Sequence, residues 1–340
     1  MKSVGIDLHK KTITLCVLDH EGASVTTRTF ACTAPEKITA FFKALGPFQA
    51  VIEATASYQW LWELLEPLAQ RLVLAHPGKL RIIAQSTRKS DKFDARVLAE
   101  FLCLDMIPEA YRPTPRQRAH RALVRQRQFL MKQRTQLRNK VRRLLSDYNA
   151  DRRDLFAPRG LESLASIPLN PTDRLIVNQL LDQLQFLEGQ RQALQQQLRV
   201  FAQGGSPREA QDRRLLRSLP GVGEVTCEVV LAELGDVQRF RSAKQVVAYA
   251  GLAPGRRESA GKTRDLGITK AGSGLLRWVL VEASWQAVRR SRHWSGIYER
   301  LKRRRGTRRA IVAVARRLLE VMMALLRSGR PYREGFGAAA

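Results

Sequence analysis

Apolar and polar positions alternate in short runs over the first hundred residues: SVGIDLH, TITLCVLD, VTTRTFA, AVIEA and RLVLAHP. A period of two over runs of this length predicts strands. In the first run Val4, Ile6 and Leu8 form the buried side, which leaves Asp7 on the opposite face. The segments EKITAFFKAL, WLWELLEPLAQ and SDKFDARVLAEFL instead space their apolar residues at three and four, as helices do. An α/β domain is expected over residues 1–108, with Pro108, Pro113 and Pro115 marking its exit. Then the period changes. Leu123, Leu130, Leu137 and Leu144 recur every seven residues. Leu180, Leu184, Leu187, Leu194, Leu198 and Phe201 follow 4-3 spacing, with Arg191 in one seam position. Residues 109–207 are therefore expected to form a basic helical coiled-coil region, a hairpin or dimerisation arm, with packing inside a larger helical domain as the plainer alternative. After GGSPRE the chain reads as mainly helical with short glycine turns, a third domain over 208–332 and a tail at 333–340. The fold class expected is α/β plus all-α.

Charge sharpens this picture. Lys and Arg number 59 against 31 Asp and Glu, a formal +28. Residues 1–100 carry only +3 of it, so +25 lies beyond them. Between Ala110 and Ser146 stand 12 basic residues and no acidic one, and RRSRHWSGIYERLKRRRGTRR (289–309) is a second dense tract. A single basic run is most simply a solvated helix face. Two of them, rich in arginine, point to a polyanion, with nucleic acid ahead of a membrane surface. The longest apolar stretch, AIVAVARRLLEVMMALL, carries Arg316 and Arg317 at its centre and reads as an amphipathic helix. Charges interrupt the first twenty residues, against a signal peptide. Cys16, Cys32, Cys103 and Cys227 form no CxxC pair and are expected as reduced core residues of a cytosolic protein.

The chemistry concentrates in carboxylates. Asp7 lies within one strand, Glu53 ends another, and Asp91 and Asp94 stand three apart on a helix. One such acid is usually a satisfied structural residue. Four in an otherwise apolar domain are better explained by a divalent-metal site, since burying them together without a cation is costly. Hard Mg²⁺, one ion or two, suits oxygen ligands and phosphoryl transfer, with Mn²⁺ as the alternative. In the basic half, GRRESAGKTR surrounds Ser259 with Arg256, Arg257, Lys262 and Arg264. These cations suit a scissile phosphate and its developing charge. Ser259 has no histidine near it in sequence; a loop-capping role is its plainer reading, and Ser273 in KAGSG competes as nucleophile. Lys270 and Arg277 are expected to grip backbone phosphates. The LPGVG turn offers Gly221 and Gly223 as backbone donors to a phosphate, although helix-turn packing explains it almost as well.

GIDLHK, VIEAT and KSDKFDARVLA resemble the N-terminal motifs of the insertion-sequence 110 family, whose RuvC-like, RNase H-fold domain defines the DEDD transposases. That family includes the Piv-type DNA invertases. YAGLAPGRRESAGKTRDLGITKAGSGLLRWVLVEA is similar to its C-terminal transposase domain, and LPGVG also occurs there. The resemblance spans essentially the whole chain. It implies that Asp7, Glu53, Asp91 and Asp94 are the metal-binding tetrad and that Ser259 is the nucleophile. It further implies transposition through a phosphoserine intermediate and a structured guide RNA (a bridge RNA) pairing with donor and target DNA. A homodimer or homotetramer at the nucleoid in the bacterial cytoplasm completes the expectation. The absence of a recognisable helix-turn-helix or zinc finger is compatible with sequence choice by base pairing. Three rivals differ in what they require. A RuvC-like nuclease would activate water with the same tetrad and form no adduct. A sugar-kinase-like ATPase would need glycine-rich phosphate loops, which residues 10–100 lack. A non-catalytic nucleic-acid-binding protein would leave the tetrad unexplained.

Overall fold

The strand expected around Asp7 forms, and it becomes the middle of a sheet. The computed structural model describes the backbone of residues 1–55, 57–83, 91–259 and 262–334, and side chains there except at 81–83, 91–93, 256–259 and 262–265. Two compact units result, Met1–Arg112 and Pro113–Ala340. In the first, β1 (Lys2–Leu8), β2 (Thr12–Leu18) and β3 (Ser24–Ala31) are antiparallel neighbours. Next, α1 (Pro35–Leu45) leads to β4 (Phe48–Glu53), parallel to β1, and α2 (Tyr58–Leu65) leads to β5 (Arg71–Ala75), parallel to β4. The helices α3 (Pro77–Ile83) and α4 (Asp91–Cys103) follow, and the sheet order is β3-β2-β1-β4-β5.

β1 has no solvent face. Val4, Ile6 and Leu8 pack with Ile38 and Phe42 of α1 and Leu61 and Leu65 of α2. Ser3 and Asp7, on the other side, are buried as well. The second layer is α4, whose Ala95 and Ala99 cluster with Cys16 and Leu18. A Cβ at Gly5 would stand 2.0 Å from the Ala95 carbonyl oxygen and 2.4 Å from the Ala99 amide nitrogen. Only glycine lets the helix backbone approach the strand so closely. The alternation in SVGIDLH therefore separates one helical layer from another, not core from water.

The second unit opens with α5 (Pro115–Ser146), capped by Thr114, whose hydroxyl accepts from the Gln117 amide at 3.1 Å. The short α6 (Pro158–Ser166) leads to α7 (Pro171–Gln203). α5 and α7 run antiparallel, since Val124 and Leu198 share one core while Val141, Leu145 and Leu180 share another. The seam differs from the heptad expectation. Leu130 is buried, but Leu123, Leu137 and Leu144 are half-buried, and Val124, Val141 and Leu145 take the inner positions. Much of the deep burial falls where other elements pack on the pair: Val124 and Leu198 join a core with the helix Glu224–Leu234, and Val141, Leu145 and Leu180 one with Leu164 of α6. On α7, Leu180 and Leu198 are buried while Leu184, Leu187 and Leu194 stay half-exposed.

Beyond the hairpin come α8 (Pro207–Arg217), α9 (Glu224–Leu234), a 3-10 turn at Val237–Arg239 and α10 (Ala243–Tyr249). An antiparallel pair follows, β6 (Pro254–Ser259) with β7 (Lys262–Ile268). The chain continues through α11 (Gly274–Arg290), α12 (Arg292–Arg305) and α13 (Thr307–Ser328). The apolar stretch within α13 is core: Leu318, Leu319 and Met322 are fully buried, and no described helix is long and apolar enough to cross a membrane. All four cysteines are free, but only Cys16 and Cys227 are buried. Cys103 is exposed, contrary to expectation, because the last turn of α4 carries it past the sheet-facing Leu98 and Leu102. Burial pushes the Cys227 thiol up to about 12, which leaves it inert as a nucleophile.

A polar node fixes α5 to the helices behind it. Glu228 accepts from Arg213 Nε at 2.8 Å and lies 2.8 Å from His120 Nε2. His120 stacks on Phe201, and Arg116 lies over the same ring while binding Glu209. Burial alone would raise the Glu228 carboxyl, but the hydrogen bonds from His120 and Arg213 outweigh it and hold the group below its ordinary range. A depressed carboxyl contributes stability above its unfolded value and loses that contribution as pH falls through the folded value. Glu228→Gln is thus expected to cost about 3 kcal/mol near neutrality, with the gap from the unsubstituted protein closing below about pH 4 in urea titrations. Gly5→Ala is expected to cost about 3 kcal/mol or more by the same measurement, because backbone atoms of α4 must move.

Candidate active site

Asp7 and Glu53 meet through strand register. β1 and β4 are parallel, with Ile6 opposite Ile52, so Asp7 and Glu53 occupy the next positions along both strands. Both lie on the α4-covered side, at the carboxyl ends of adjacent parallel strands. From β1 the chain builds outward to β2 and β3 on one side and returns to β4 on the other. Such a switch point in strand order is where open α/β sheets place their ligands. Asp7 is 8% exposed and Glu53 half-buried. His9 Nε2 lies 3.0 Å from Asp7 Oδ2, a partner that the sequence reading did not single out. The i,i+2 spacing in GIDLHK puts both residues on one side of the chain and was the available signal.

The helical acids are less convergent. Asp94 is exposed in the first turn of α4, one residue before the Ala95 that packs on Gly5. The Asp91 side chain lies outside the described residues. Acids in a first turn also favour the helix N-terminus electrostatically, which is a sufficient structural role for them. Among the described residues no three of His, Cys, Asp and Glu gather as a metal site. The donor chemistry still fits a hard divalent cation: a buried carboxylate with a second one beside it in register, among apolar neighbours.

In the second unit, β6 and β7 pair Ser259 with Lys262 and Arg257 with Arg264. Ser259 is therefore the last strand residue before a two-residue connection. Register places Arg257, Lys262 and Arg264 at positions on its face and Arg256 on the other, opposite Asp265. The side chains of Ser259, Arg256, Arg257, Lys262 and Arg264 lie outside the described residues. The base of the hairpin is well defined. The Thr269 amide donates to the Ala253 carbonyl and the Lys270 amide to the Gly251 carbonyl, each at 3.0 Å. Lys270 is exposed at φ 56°, a conformation uncommon for a residue with a Cβ. Arg277, expected at a phosphate, directs Nη1 to the carbonyls of Gly272 at 2.8 Å and Ala250 at 3.1 Å, tying the hairpin base to α10. Ser273 has a structural task too: its hydroxyl caps α11, accepting from the Leu276 amide at 3.2 Å.

The two glycines of LPGVG differ. Gly221, at φ 86°, would drive a Cβ to 2.5 Å from the Ala287 amide, so its conformation is required by packing on α11. Gly223 is exposed, precedes α9, and has nothing within 4 Å of its Cβ position. Gly223 leaves open space on its Cβ side, and Glu224 beside it adds a negative charge there.

Known proteins match this chain in sequence over nearly all of its length. Residues 213–299 match the model described as Transposase IS116/IS110/IS902 family, and residues 4–150 match a transposase model of the DEDD, IS110 type. The transposase for insertion sequence element IS1111A of Coxiella burnetii is 28% identical, the match covering 98% of this chain and 92% of that protein. A probable family 20 transposase of Pseudomonas aeruginosa is 29% identical over 98% of this chain and 99% of its own. The pilin gene-inverting protein of Moraxella bovis is 24% identical over 97% of each.

Replacing Arg277 by Met removes two hydrogen bonds to carbonyls at the hairpin base. The expected loss is about 2 kcal/mol locally, read as faster tryptic cleavage between residues 254 and 268 with little change in far-UV circular dichroism.

Proposed function

This chain belongs to the IS116/IS110/IS902 family of transposases, and from that premise we propose that it cuts and rejoins DNA through a covalent phosphoserine intermediate at Ser259. The observation that carries the reading is the buried carboxylate of Asp7 set beside Glu53 at the carboxyl ends of two parallel strands. The mixed five-stranded sheet with helices on both faces supports an RNase H/RuvC-like assignment for the first unit.

Asp7, Glu53, Asp91 and Asp94 are the residues that would hold Mg²⁺ or Mn²⁺. A cation bound there would supply Lewis-acid stabilisation of charge on the phosphoryl group and ease deprotonation of an attacking hydroxyl. Ser259 Oγ attacks the phosphorus of a DNA phosphodiester. The P–Oγ bond forms, the P–O3′ bond breaks, the serine loses its proton and the departing 3′ oxygen gains one. The 3′ hydroxyl of a second strand then attacks the phosphoserine, re-forming a phosphodiester and returning the proton to Ser259. One diester is exchanged for another, so no nucleotide hydrolysis is required. Arg257, Lys262 and Arg264 hold the scissile phosphate from the hairpin face that also carries Ser259, while Arg256 and Lys270 grip flanking backbone.

A structured guide RNA, pairing with donor and target, would supply sequence choice. The half-exposed α5–α7 hairpin is the element suited to bring copies together as a dimer or tetramer in the bacterial cytoplasm.

The test is a denaturing gel of radiolabelled donor DNA incubated with the protein and its copurifying RNA in Mg²⁺. A protein-linked band is expected that disappears with Ser259→Ala, with Asp7→Asn and with a chelator, each lowering adduct formation by about 10³-fold or more. Undiminished cleavage by Ser259→Ala, with no adduct in either protein, would leave a water-activating nuclease instead.

A further inference from the structure

The second basic tract folds into a groove that the catalytic reading does not use. Two depressions of 660 and 590 Å³ adjoin there and share Ile297, Arg300 and Arg304; the first lies along α12 alone, the second between α12 and α13. Arg292, Arg300, Arg303 and Arg304 of α12 line the 660 Å³ depression; in the 590 Å³ groove Arg300 and Arg304 are joined by Arg316 and Arg317 of α13. Among the described residues, ion pairs engage Arg316, with Glu320 at 3.0 Å, but not Arg292, Arg300, Arg303, Arg304 or Arg317. Glu299, the other acid on the groove, lies 3.5 Å from Lys302. The arginines from 300 onward fall outside both matched family segments.

A second observation concerns Gly296. Arg292, Gly296, Arg300 and Arg304 stand four apart on α12 and so form one ridge about 18 Å long. Glycine within a helix is unfavourable and normally has a packing reason. Among the described residues none exists: Gly296 is exposed and nothing lies within 4 Å of its Cβ position. The notch opens into the 660 Å³ depression. A partner lying along this face of α12 would account for it.

We infer that the exposed arginine face of α12, with the adjoining groove between α12 and α13, seats the sugar-phosphate backbone of duplex DNA, with Gly296 as the point of closest approach. This rests on the reading of the chain as a DNA recombinase. Guanidinium groups on two walls suit phosphates held from both sides. Single strands are held on aromatic platforms, and among the described residues no Phe, Tyr or Trp lines the groove. RNA is distinguished through its 2′ hydroxyl, and the lining holds no Ser, Thr, Asn or Gln to bind it, while both glutamates already face cations. The contact is indifferent to base sequence.

The test measures fluorescence anisotropy of the full chain with a random-sequence duplex DNA, the matching single strand and a duplex RNA, over a salt series. Arg300→Gln/Arg304→Gln is expected to weaken duplex DNA binding about tenfold and to lower the slope of log affinity against log salt by about 2. Gly296→Leu is expected to weaken the same binding about tenfold while Tm holds or rises by up to about 3 °C. Lys37→Gln/Lys43→Gln, an exposed pair on α1, supplies the charge-matched control. An equal loss in that control, an unchanged salt slope, or a loss confined to single-stranded DNA or to RNA overturns the inference. The Ser259 adduct is read separately, so an intact adduct with unaltered binding by the groove variants removes this site and leaves the proposed reaction standing.

Discussion

A carboxylate enclosed between a sheet and a helix is the constraint around which the first unit is arranged. Asp7 can be buried only because both faces of β1 are covered, and the second face is covered only because Gly5 admits the backbone of α4. The same contact fixes where the first turn of α4, with Asp91 and Asp94, begins relative to the strand. Glu53 arrives independently, through the parallel register of β4 with β1. An isolated buried charge is expensive, so the arrangement demands positive charge or strong donors nearby. His9 meets part of that demand at 3.0 Å.

Arginine plays two roles in the second unit. Arg116, Arg125 and Arg213 are spent on Glu209, Glu233 and Glu228, and Arg121 and Arg277 on backbone carbonyls. These side chains hold α5 and the hairpin base in place. Others, on the outer faces of α12 and α13, meet no acid among the described residues and remain available to a polyanion. Total charge does not distinguish the two sets. A buried glutamate two helices away decides whether an arginine is structural, and that proximity exists only after folding.

Much of the first unit was legible because its signals are local. Period-two runs located all five strands, and parity alone put Asp7 and Val51's neighbour Glu53 on the correct sides. The covering of both sheet faces was not legible, since alternation looks the same whether the second face meets water or a helix. In the hairpin, heptad leucines located both helices but misplaced the buried seam, because burial there depends on where α6 and α9 pack. Gly221 shows a similar limit: its positive φ serves α11, a contact made across more than sixty residues of chain. Arg277 holds a carbonyl pair and Ser273 caps a helix, contacts that no local pattern in the sequence announces. For Ser259 the strand register supplies a place, the end of β6 opposite Lys262, while its chemical role belongs to the proposed reaction.

The uneven placement of charge has a consequence for how the molecule responds to its medium. Some +25 of the net +28 falls after residue 100. Mutual repulsion among those cations opposes the compact state of the second unit, and mobile ions relieve it over distances of about 10 Å at 0.1 M. Added electrolyte therefore firms the second unit when it is alone and loosens its grip on nucleic acid, while the nearly neutral first unit carries little such self-repulsion. Concentrated salt and a bound polyanion are in this sense interchangeable guests, and the protein is least comfortable when deprived of both.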